Sequence, residues 1–327
     1  DLSVLEMYET VFRDWAWGEP ESERALSLVA RLAETAAAHA GLTGSLQLGK
    51  LAVFGSGACR LAADVHRSLG AAVTYALDFN PLPLLLAQRV LHGAVIEAFE
   101  YPTGPRGLEH TAVLQQLRSS FPMPDGLVLA LADARQPPFA AESLNSVLTP
   151  WFIDVVGTDL PQTIATIHDV LAPGGYWLNQ GPLRFRGAAS QRYSIEEVRE
   201  LVQRGGFELV AELPEDQPYF DSPHAGARRL ETVYGFVARK VGPSPPRPAI
   251  VPDEPAWSID VTQPIPRPPE LSTLQERLIF TAGALSLIDG TRSLADLAEA
   301  LGGDMGVQPE RVIEPLRSLL LNVLVTG

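Results

Sequence analysis

Hydrophobic positions change their spacing along the chain, and the first region has helical spacing. Residues 23–40 are rich in Ala, Leu and Glu, and place Leu26, Val29 and Leu32 on one helical face. The pattern predicts an N-terminal helical segment, which we bound at residues 1–45.

Short uninterrupted apolar runs then alternate with helical patterns. Such runs are typical of strands buried on both faces of a parallel sheet. The alternation predicts an α/β domain over residues 46–241, with a doubly wound, mostly parallel Rossmann-like sheet. The predicted strands are 51–54, 72–77, 127–132, 146–153 and 176–179, and the predicted helices are 58–68, 83–91 and 160–171.

The alternation stops near the end of this domain. A helical pattern at 194–205 is followed by two strand patterns, 207–213 and 231–240. Two strands in succession predict an antiparallel last pair at the sheet edge. The polar segment 214–229 between them is predicted to be a long binding loop.

The rest of the chain divides into a linker and a small module. Residues 242–269 are dense in proline, which predicts an extended and stiff linker. Residues 270–327 return to helical patterning, and Ser293 suits the N-cap of a helix over 294–301. We predict a small helical domain here.

The net charge and composition of the chain disfavour several kinds of binding partner and location. The chain holds 25 basic and 39 acidic side chains, a net charge of -14, which disfavours nucleic acid and anionic lipid. The single cysteine, Cys59, excludes an intrachain disulfide framework and favours a cytoplasmic location. The sequence has no apolar run of about 18 residues, so no membrane span is predicted. No metal site is predicted.

Three features at predicted strand ends favour a nucleoside-containing ligand. Gly55 and Gly57 form a turn between a strand and a helix, where a ligand can approach the bare backbone. Asp78 and Asp133 each follow a later strand and can accept hydrogen bonds from a ribose and from the adenine amine, respectively. The alternative is a turn or helix-capping role for Asp78 and a turn role for Asp133. Arg60 stands where the dinucleotide fingerprint requires a small residue, which disfavours NAD.

From about residue 11 to residue 240, the sequence resembles the carnosine N-methyltransferases and their relatives. The most specific part of the resemblance is the stretch from Phe152 to Leu183. The motifs that carry it are Arg13-Asp14-Trp15 with Glu23-Arg24, Gly55-Ser56-Gly57 with Arg60-Leu61-Ala62, Trp151-Phe152-Ile153-Asp154, Pro173-Gly174-Gly175, and Asn179-Gln180-Gly181-Pro182-Leu183.

The resemblance implies S-adenosylmethionine as cofactor. It implies that Arg13 reaches the cofactor's carboxylate and that the glycine turn lines its methionyl part. It further implies that Asp78 holds the ribose and Asp133 the adenine. The predicted cofactor-binding set is Arg13, Gly55, Gly57, Arg60, Asp78, Phe79, Asp133 and Ala134.

The resemblance also places Asp154 against the methyl acceptor. A carboxylate bound to one N–H of an imidazole fixes the tautomer and stabilises the cation that methylation creates. The alternative is a helix-capping role for Asp154. Arg186 departs from the family, which has histidine there, so the acceptor need not be carnosine. The predicted substrate-binding set is Asp154, Asn179, Arg186, Tyr219 and His224.

The C-terminal segment 287–297 is similar to PqqD-like peptide-recognising modules.

Taken together, these features predict an N-methyltransferase for an imidazole or related nitrogen of a small metabolite or peptide. One alternative is a peptide-modifying (RiPP-type) methyltransferase that recruits its substrate through this module. Others are a non-catalytic scaffold, a Rossmann dehydrogenase, and a tail that packs on the enzyme or forms a homodimer.

Overall fold

The computed structural model describes residues 2–17, 20–157, 159–185, 191–243, 280–288 and 292–324. The chain divides into two compact units, Asp1–Ala249 and Ile250–Gly327. No helix among the described residues is long and apolar enough to cross a bilayer. The predicted linker lies outside the described residues from position 244 onward.

The first unit is a layered α/β structure. Its strands are β1 (Gly49–Phe54), β2 (Ala71–Asp78), β3 (Ile96–Glu100), β4 (Val113–Leu117), β5 (Leu127–Leu131), β6 (Leu144–Pro150), β7 (Leu171–Gln180), β8 (Phe207–Tyr219) and β9 (Arg229–Lys240). Its helices are α1 (Leu2–Trp15), α2 (Pro20–His39), α3 (Arg60–Ser68), α4 (Pro81–Leu91), α5 (Leu160–Val170) and α6 (Ile195–Arg204).

Seven strands form one sheet in the order β5-β2-β1-β6-β7-β9-β8. The first five of these are parallel to their neighbours, and β9 pairs antiparallel with both β7 and β8. Residues 51–54 of β1 are fully buried, as an apolar central strand covered by helices on both faces must be. The predicted Rossmann-like sheet with an antiparallel last strand is confirmed.

Cap residues fix where several helices begin. Asn80 accepts the N–H of Leu82 at the start of α4, and Ser194 and Glu197 form a reciprocal capping box at the start of α6. Only Phe79 and Asn80 separate the end of β2 from the start of α4, so this strand-to-helix turn is short.

Two sequence predictions are wrong in their bounds. The strand predicted over 146–153 ends at Pro150, because Trp151 adopts a φ of +52° that breaks the extended backbone. The long loop predicted over 214–229 is shorter, since β8 continues to Tyr219 and β9 begins at Arg229. Only residues 220–228 connect the two strands.

The separate antiparallel hairpin formed by β3 and β4 was not predicted from the sequence. Side chains of both strands alternate between buried and exposed positions, and α1 packs beside β4. On the inner face the buried Glu100 carboxylate accepts hydrogen bonds from Trp17, Gln115 and Ser222. A carboxylate with three donors links the hairpin, the end of α1 and the β8–β9 loop.

The second unit, where described, is helical. Residues 280–286 are helical and precede α7 (Leu294–Met305) and α8 (Pro309–Leu324). Ser293 caps α7 in a box with Asp296, as its sequence position predicts. Ala284, Leu297, Leu301 and Leu316 belong to its own small apolar core.

Candidate active site

One cavity of about 430 Å³ lies at the carboxyl ends of β1, β2, β5 and β6. Open α/β sheets bind their ligands at this edge. The residues that line it are Thr10, Arg13, Asp14, Glu21, Ser22, Ala25, Gly55, Ser56, Gly57, Leu61, Asp78, Phe79, Ala132, Asp133, Ala134, Arg135, Pro150, Trp151, Phe152, Val155, Val156, Gln217 and Tyr219.

The turn after β1 exposes backbone to the cavity. Gly55 and Gly57 have φ values of +69° and +54°, which glycine adopts without the strain that other residues incur. A Cβ on Gly55 would lie 2.7 Å from the Phe152 ring, and one on Gly57 would lie 3.0 Å from Thr10 Cγ2. Both positions therefore favour glycine, and the turn brings its main chain to the cavity wall.

Asp78 at the end of β2 is tied to this turn. Its Oδ2 accepts the N–H of Gly57 at 2.8 Å and its Oδ1 accepts that of Asn80 at 2.9 Å. Burial raises the pKa of the Asp78 carboxyl, although these backbone donors oppose the shift. Each oxygen has a further lone pair, so a vicinal diol can donate to the same carboxylate. Beside it, the Phe79 ring is 79% exposed.

Asp133 lies at the far side of the same edge. Both of its oxygens pair with the guanidinium of Arg135, at 2.8 to 3.0 Å. That hydrogen bonding lowers the pKa of Asp133, which is therefore ionised at neutral pH. An adenine amine would share the Asp133 oxygens with Arg135.

Helices α1 and α2 supply a third wall, which is charged. Arg13 donates from Nε to Asp14 Oδ1 at 2.8 Å and lies 5.4 Å from the centre of the Phe220 ring. Burial lowers the pKa of Arg13, but Asp14, Tyr219 and Glu21 together raise it above its ordinary value. Glu21 accepts the backbone N–H groups of Phe220 at 3.3 Å and of Asp221 at 3.2 Å.

Aromatic side chains line the adjoining part of the cavity. The rings of Trp151 and Tyr219 stack with centroids 4.0 Å apart and an angle of 17° between planes. Gly181 makes room for Trp151, since a Cβ on Gly181 would lie 3.0 Å from Trp151 Cα. Arg229 lies 4.8 Å from the centre of the Tyr219 ring. These contacts present two fixed, flat rings to a ligand.

Eight of the residues predicted from sequence line this cavity together. Four other predicted residues do not line it. Arg60 pairs with Asp64 at 2.8 Å within α3, and Asn179 bonds Thr149 and the Tyr234 carbonyl inside the sheet. His224 contacts His110, with their Nδ1 atoms 3.1 Å apart. The eight are Arg13, Gly55, Gly57, Asp78, Phe79, Asp133, Ala134 and Tyr219.

Asp154 is buried and accepts the backbone N–H of Arg184 at 3.0 Å. It is not among the residues that line the cavity. Its carboxylate thereby holds the segment that follows β7. Arg186 lies outside the described residues.

The lining residues that were not predicted as site residues include Glu21, Trp151 and Gln217. Trp151 is part of the Trp151-Phe152-Ile153-Asp154 motif, and that motif was the signal that could have found it. Nothing in the sequence marks Glu21, which faces the cavity because a loop 200 residues away donates two N–H groups to it. Within the described part of the chain, no group of three or more His, Cys, Asp or Glu side chains could hold a metal ion.

The fold, the glycine turn and the strand-end carboxylates define an S-adenosylmethionine-dependent methyltransferase. Residues 109–238 match the family model of carnosine N-methyltransferase. The match covers β4 to most of β9, with Trp151, Asp154 and Tyr219 inside it, while the glycine turn and Asp78 precede it.

Solved structures with a similar chain path include two methyltransferases. One, a SAM-dependent methyltransferase from Methanosarcina mazei, is 13% identical; the alignment covers 61% of this chain and 95% of the other, with a TM-score of 0.42. Another, from Aquifex aeolicus, is 12% identical, with coverages of 74% and 99% and a TM-score of 0.42. No curated protein matches the chain significantly.

Proposed function

We propose that the protein is an N-methyltransferase whose acceptor is an imidazole or related nitrogen of a small metabolite or peptide. The observation that carries the proposal is the composition of the cavity. One side has the backbone turn and carboxylates suited to a nucleoside, and the other has stacked aromatic rings and the half-buried Glu21 carboxylate. The family match over residues 109–238 supports the same chemistry.

The residues at the strand ends fit S-adenosylmethionine. The turn at Gly55 and Gly57 brings main chain to the cavity, and Asp78 keeps lone pairs for the two ribose hydroxyls. The exposed Phe79 ring can stack on the adenine, with Asp133 near its amine. Arg13 would turn from Asp14 toward the carboxylate. When bound, the cofactor supplies a methyl group on a positively charged sulfur.

Methyl transfer to nitrogen is an in-line displacement, so alignment of the reactants supplies most of the rate. In this proposal the Trp151–Tyr219 pair holds the plane of the acceptor ring. Asp154 is a positioning residue, because its bond to the N–H of Arg184 fixes the segment after β7. The β8–β9 loop shields the cavity from water, since its Phe220 packs on the cavity residues Tyr219 and Arg13 and the loop is held by Glu21 and Glu100.

Calorimetry separates this proposal from the dehydrogenase alternative. We expect S-adenosylhomocysteine to bind with one site per chain and NAD not to bind. Binding of NAD alone would contradict the proposal.

Incubation with methyl-labelled cofactor and a panel of imidazole compounds, primary amines and histidine-containing peptides then tests catalysis. We expect label on an imidazole nitrogen. A protein that binds S-adenosylhomocysteine and transfers no label would instead support the scaffold alternative.

A further inference from the structure

Four carboxylates line the described cavity, and their partners differ. Asp14 pairs with Arg13, and Asp133 pairs with Arg135. Asp78 is tied to the glycine turn. The remaining carboxylate, Glu21, receives two backbone N–H groups, one on each oxygen.

The position of Glu21 is well defined. It lies in the first turn of α2, where the partial positive charge of the helix end stabilises a carboxylate. Its oxygens are aimed by the amides of Phe220 and Asp221, and a second lone pair on each oxygen is still available to a ligand. The carboxylate is thus pre-organised and can accept a further hydrogen bond.

Glu21 is also linked, through the residue that it binds, to the stacked Trp151 and Tyr219 rings of the cavity. The residue that donates to its Oε1, Phe220, directly follows Tyr219, and the Tyr219 ring stacks on Trp151. All three of Glu21, Tyr219 and Trp151 line the same cavity. A flat heterocycle held against these rings can point an N–H at the carboxylate.

We propose that Glu21 is the carboxylate that binds and deprotonates the methyl acceptor. This rests on the proposed function. As the acceptor nitrogen's lone pair forms the bond to the methyl carbon, the carbon–sulfur bond breaks and its electron pair stays on sulfur. The acceptor becomes a cation, and its remaining N–H proton passes to the Glu21 carboxylate and then to solvent.

The electrostatic environment supports this role. Burial raises the pKa of the Glu21 carboxyl, with Arg13 and the two amides opposing the shift. A raised pKa makes the carboxylate a stronger proton acceptor than an exposed glutamate. Asp154 is less suited to this task because its carboxylate accepts the N–H of Arg184 away from the cavity lining.

The test compares Glu21→Gln and Glu21→Asp in the full-length chain, with the acceptor that wild type methylates fastest. We expect Glu21→Gln to lower kcat by about 10²–10⁴-fold. We expect its S-adenosylhomocysteine affinity to stay within about twofold of wild type. Glu21→Asp should retain more turnover than Glu21→Gln, because it keeps the charge. Glu23→Gln, an exposed position on the same helix, is the matched control and should leave kcat unchanged.

The order of the two variants distinguishes chemistry from loop anchoring. A loop anchor needs length, so glutamine, which still reaches an amide, would then outperform aspartate. That order, or a Glu21→Gln kcat within about threefold of wild type, would overturn the proposal. If wild type itself binds S-adenosylhomocysteine but methylates no nitrogen compound, the proposed function fails and the role of Glu21 fails with it.

Discussion

At the residue scale, Asp78 has an environment that opposes its charge. Burial raises its pKa, so the native state favours the protonated form relative to the unfolded chain. Its stabilising contribution is therefore present at low pH. It is lost as the pH rises through the window between the unfolded and the raised native pKa. At neutral pH the buried carboxylate destabilises the ligand-free protein.

Asp78→Asn should separate binding from stability. The amide removes the buried charge, but its NH2 group faces one of the two backbone N–H donors; because these effects oppose each other, we expect only a small change in the thermal midpoint of the ligand-free protein. Loss of two charge-assisted bonds to a ribose should weaken S-adenosylhomocysteine by about 100-fold. Calorimetry and thermal denaturation measure the two effects, with the exposed Asp125→Asn as control. Unchanged affinity would exclude Asp78 from the cofactor site.

Cys59 offers a second prediction. Its side chain is fully buried beside the glycine turn, and burial raises the pKa of the thiol to about 12. At pH 8 the reactive thiolate should be about a thousand-fold less abundant than in an ordinary cysteine. We expect Ellman's reagent to modify the native protein negligibly and to titrate one thiol after denaturation. Rapid reaction of the native protein would mean that this turn opens.

Asp154→Asn tests the role that the family resemblance implies. An asparagine oxygen can still accept the N–H of Arg184, so we expect kcat within about tenfold of wild type. A loss of about 10²–10⁴-fold would instead place the carboxylate on the acceptor, as the sequence alone predicts. Steady-state kinetics with saturating cofactor distinguishes the two.

At the scale of elements, the β1–α3 turn depends on close approach between Gly55 and Phe152. Gly55→Ala adds both a left-handed backbone penalty, about 1–2 kcal/mol, and a clash with the Phe152 ring. Gly41→Ala has the same backbone penalty at φ +71°, with nothing within 4 Å of the added Cβ.

We expect Gly55→Ala to lower the free energy of unfolding by more than Gly41→Ala does, and to weaken S-adenosylhomocysteine, which Gly41→Ala should not. Urea denaturation and calorimetry of both variants provide the comparison. Equal losses of stability would show that the Phe152 ring moves freely out of the way.

Much of the parallel sheet could be predicted because its strands are continuous apolar runs. The β3–β4 hairpin could not, because its strand Ile96–Glu100 ends in a buried carboxylate. Only distant partners such as Trp17 and Ser222 make that burial tolerable. The candidate site shows the same limit: residues placed by distant contacts could not be predicted from local sequence. Gly55 and Asp78 follow strand patterns, whereas Glu21 is defined by the amides of a loop far along the chain.

At the scale of the whole molecule, the two compact units suggest a test of the C-terminal module. A chain ending at Pro243 keeps β9 and the bonds from Val241 and Gly242 to the Gly206 carbonyl. We expect it to fold, to bind S-adenosylhomocysteine like the full chain and to methylate a small acceptor.

A peptide acceptor separates the two roles considered for the tail. If residues 270–327 recruit substrate, the shortened enzyme should lose peptide methylation at low peptide concentration, because the effective local concentration falls. If the shortened chain is insoluble, or is a monomer where the full chain is a dimer, the tail is needed for folding or for dimerisation. Sedimentation and peptide kinetics measure these outcomes.

The position of β9 between β7 and β8 has a consequence for the order in which the domain is assembled. The chain makes β8 before β9, yet β8 has no neighbour in the sheet except β9. During synthesis, therefore, β8 emerges with no strand to pair with, and β7 presents an open edge. Strands in this condition are prone to wrong pairing until their partner arrives. We infer that insertion of β9 between them is a late event in folding, and that a released chain ending at residue 228, which has β8 but lacks β9, would aggregate.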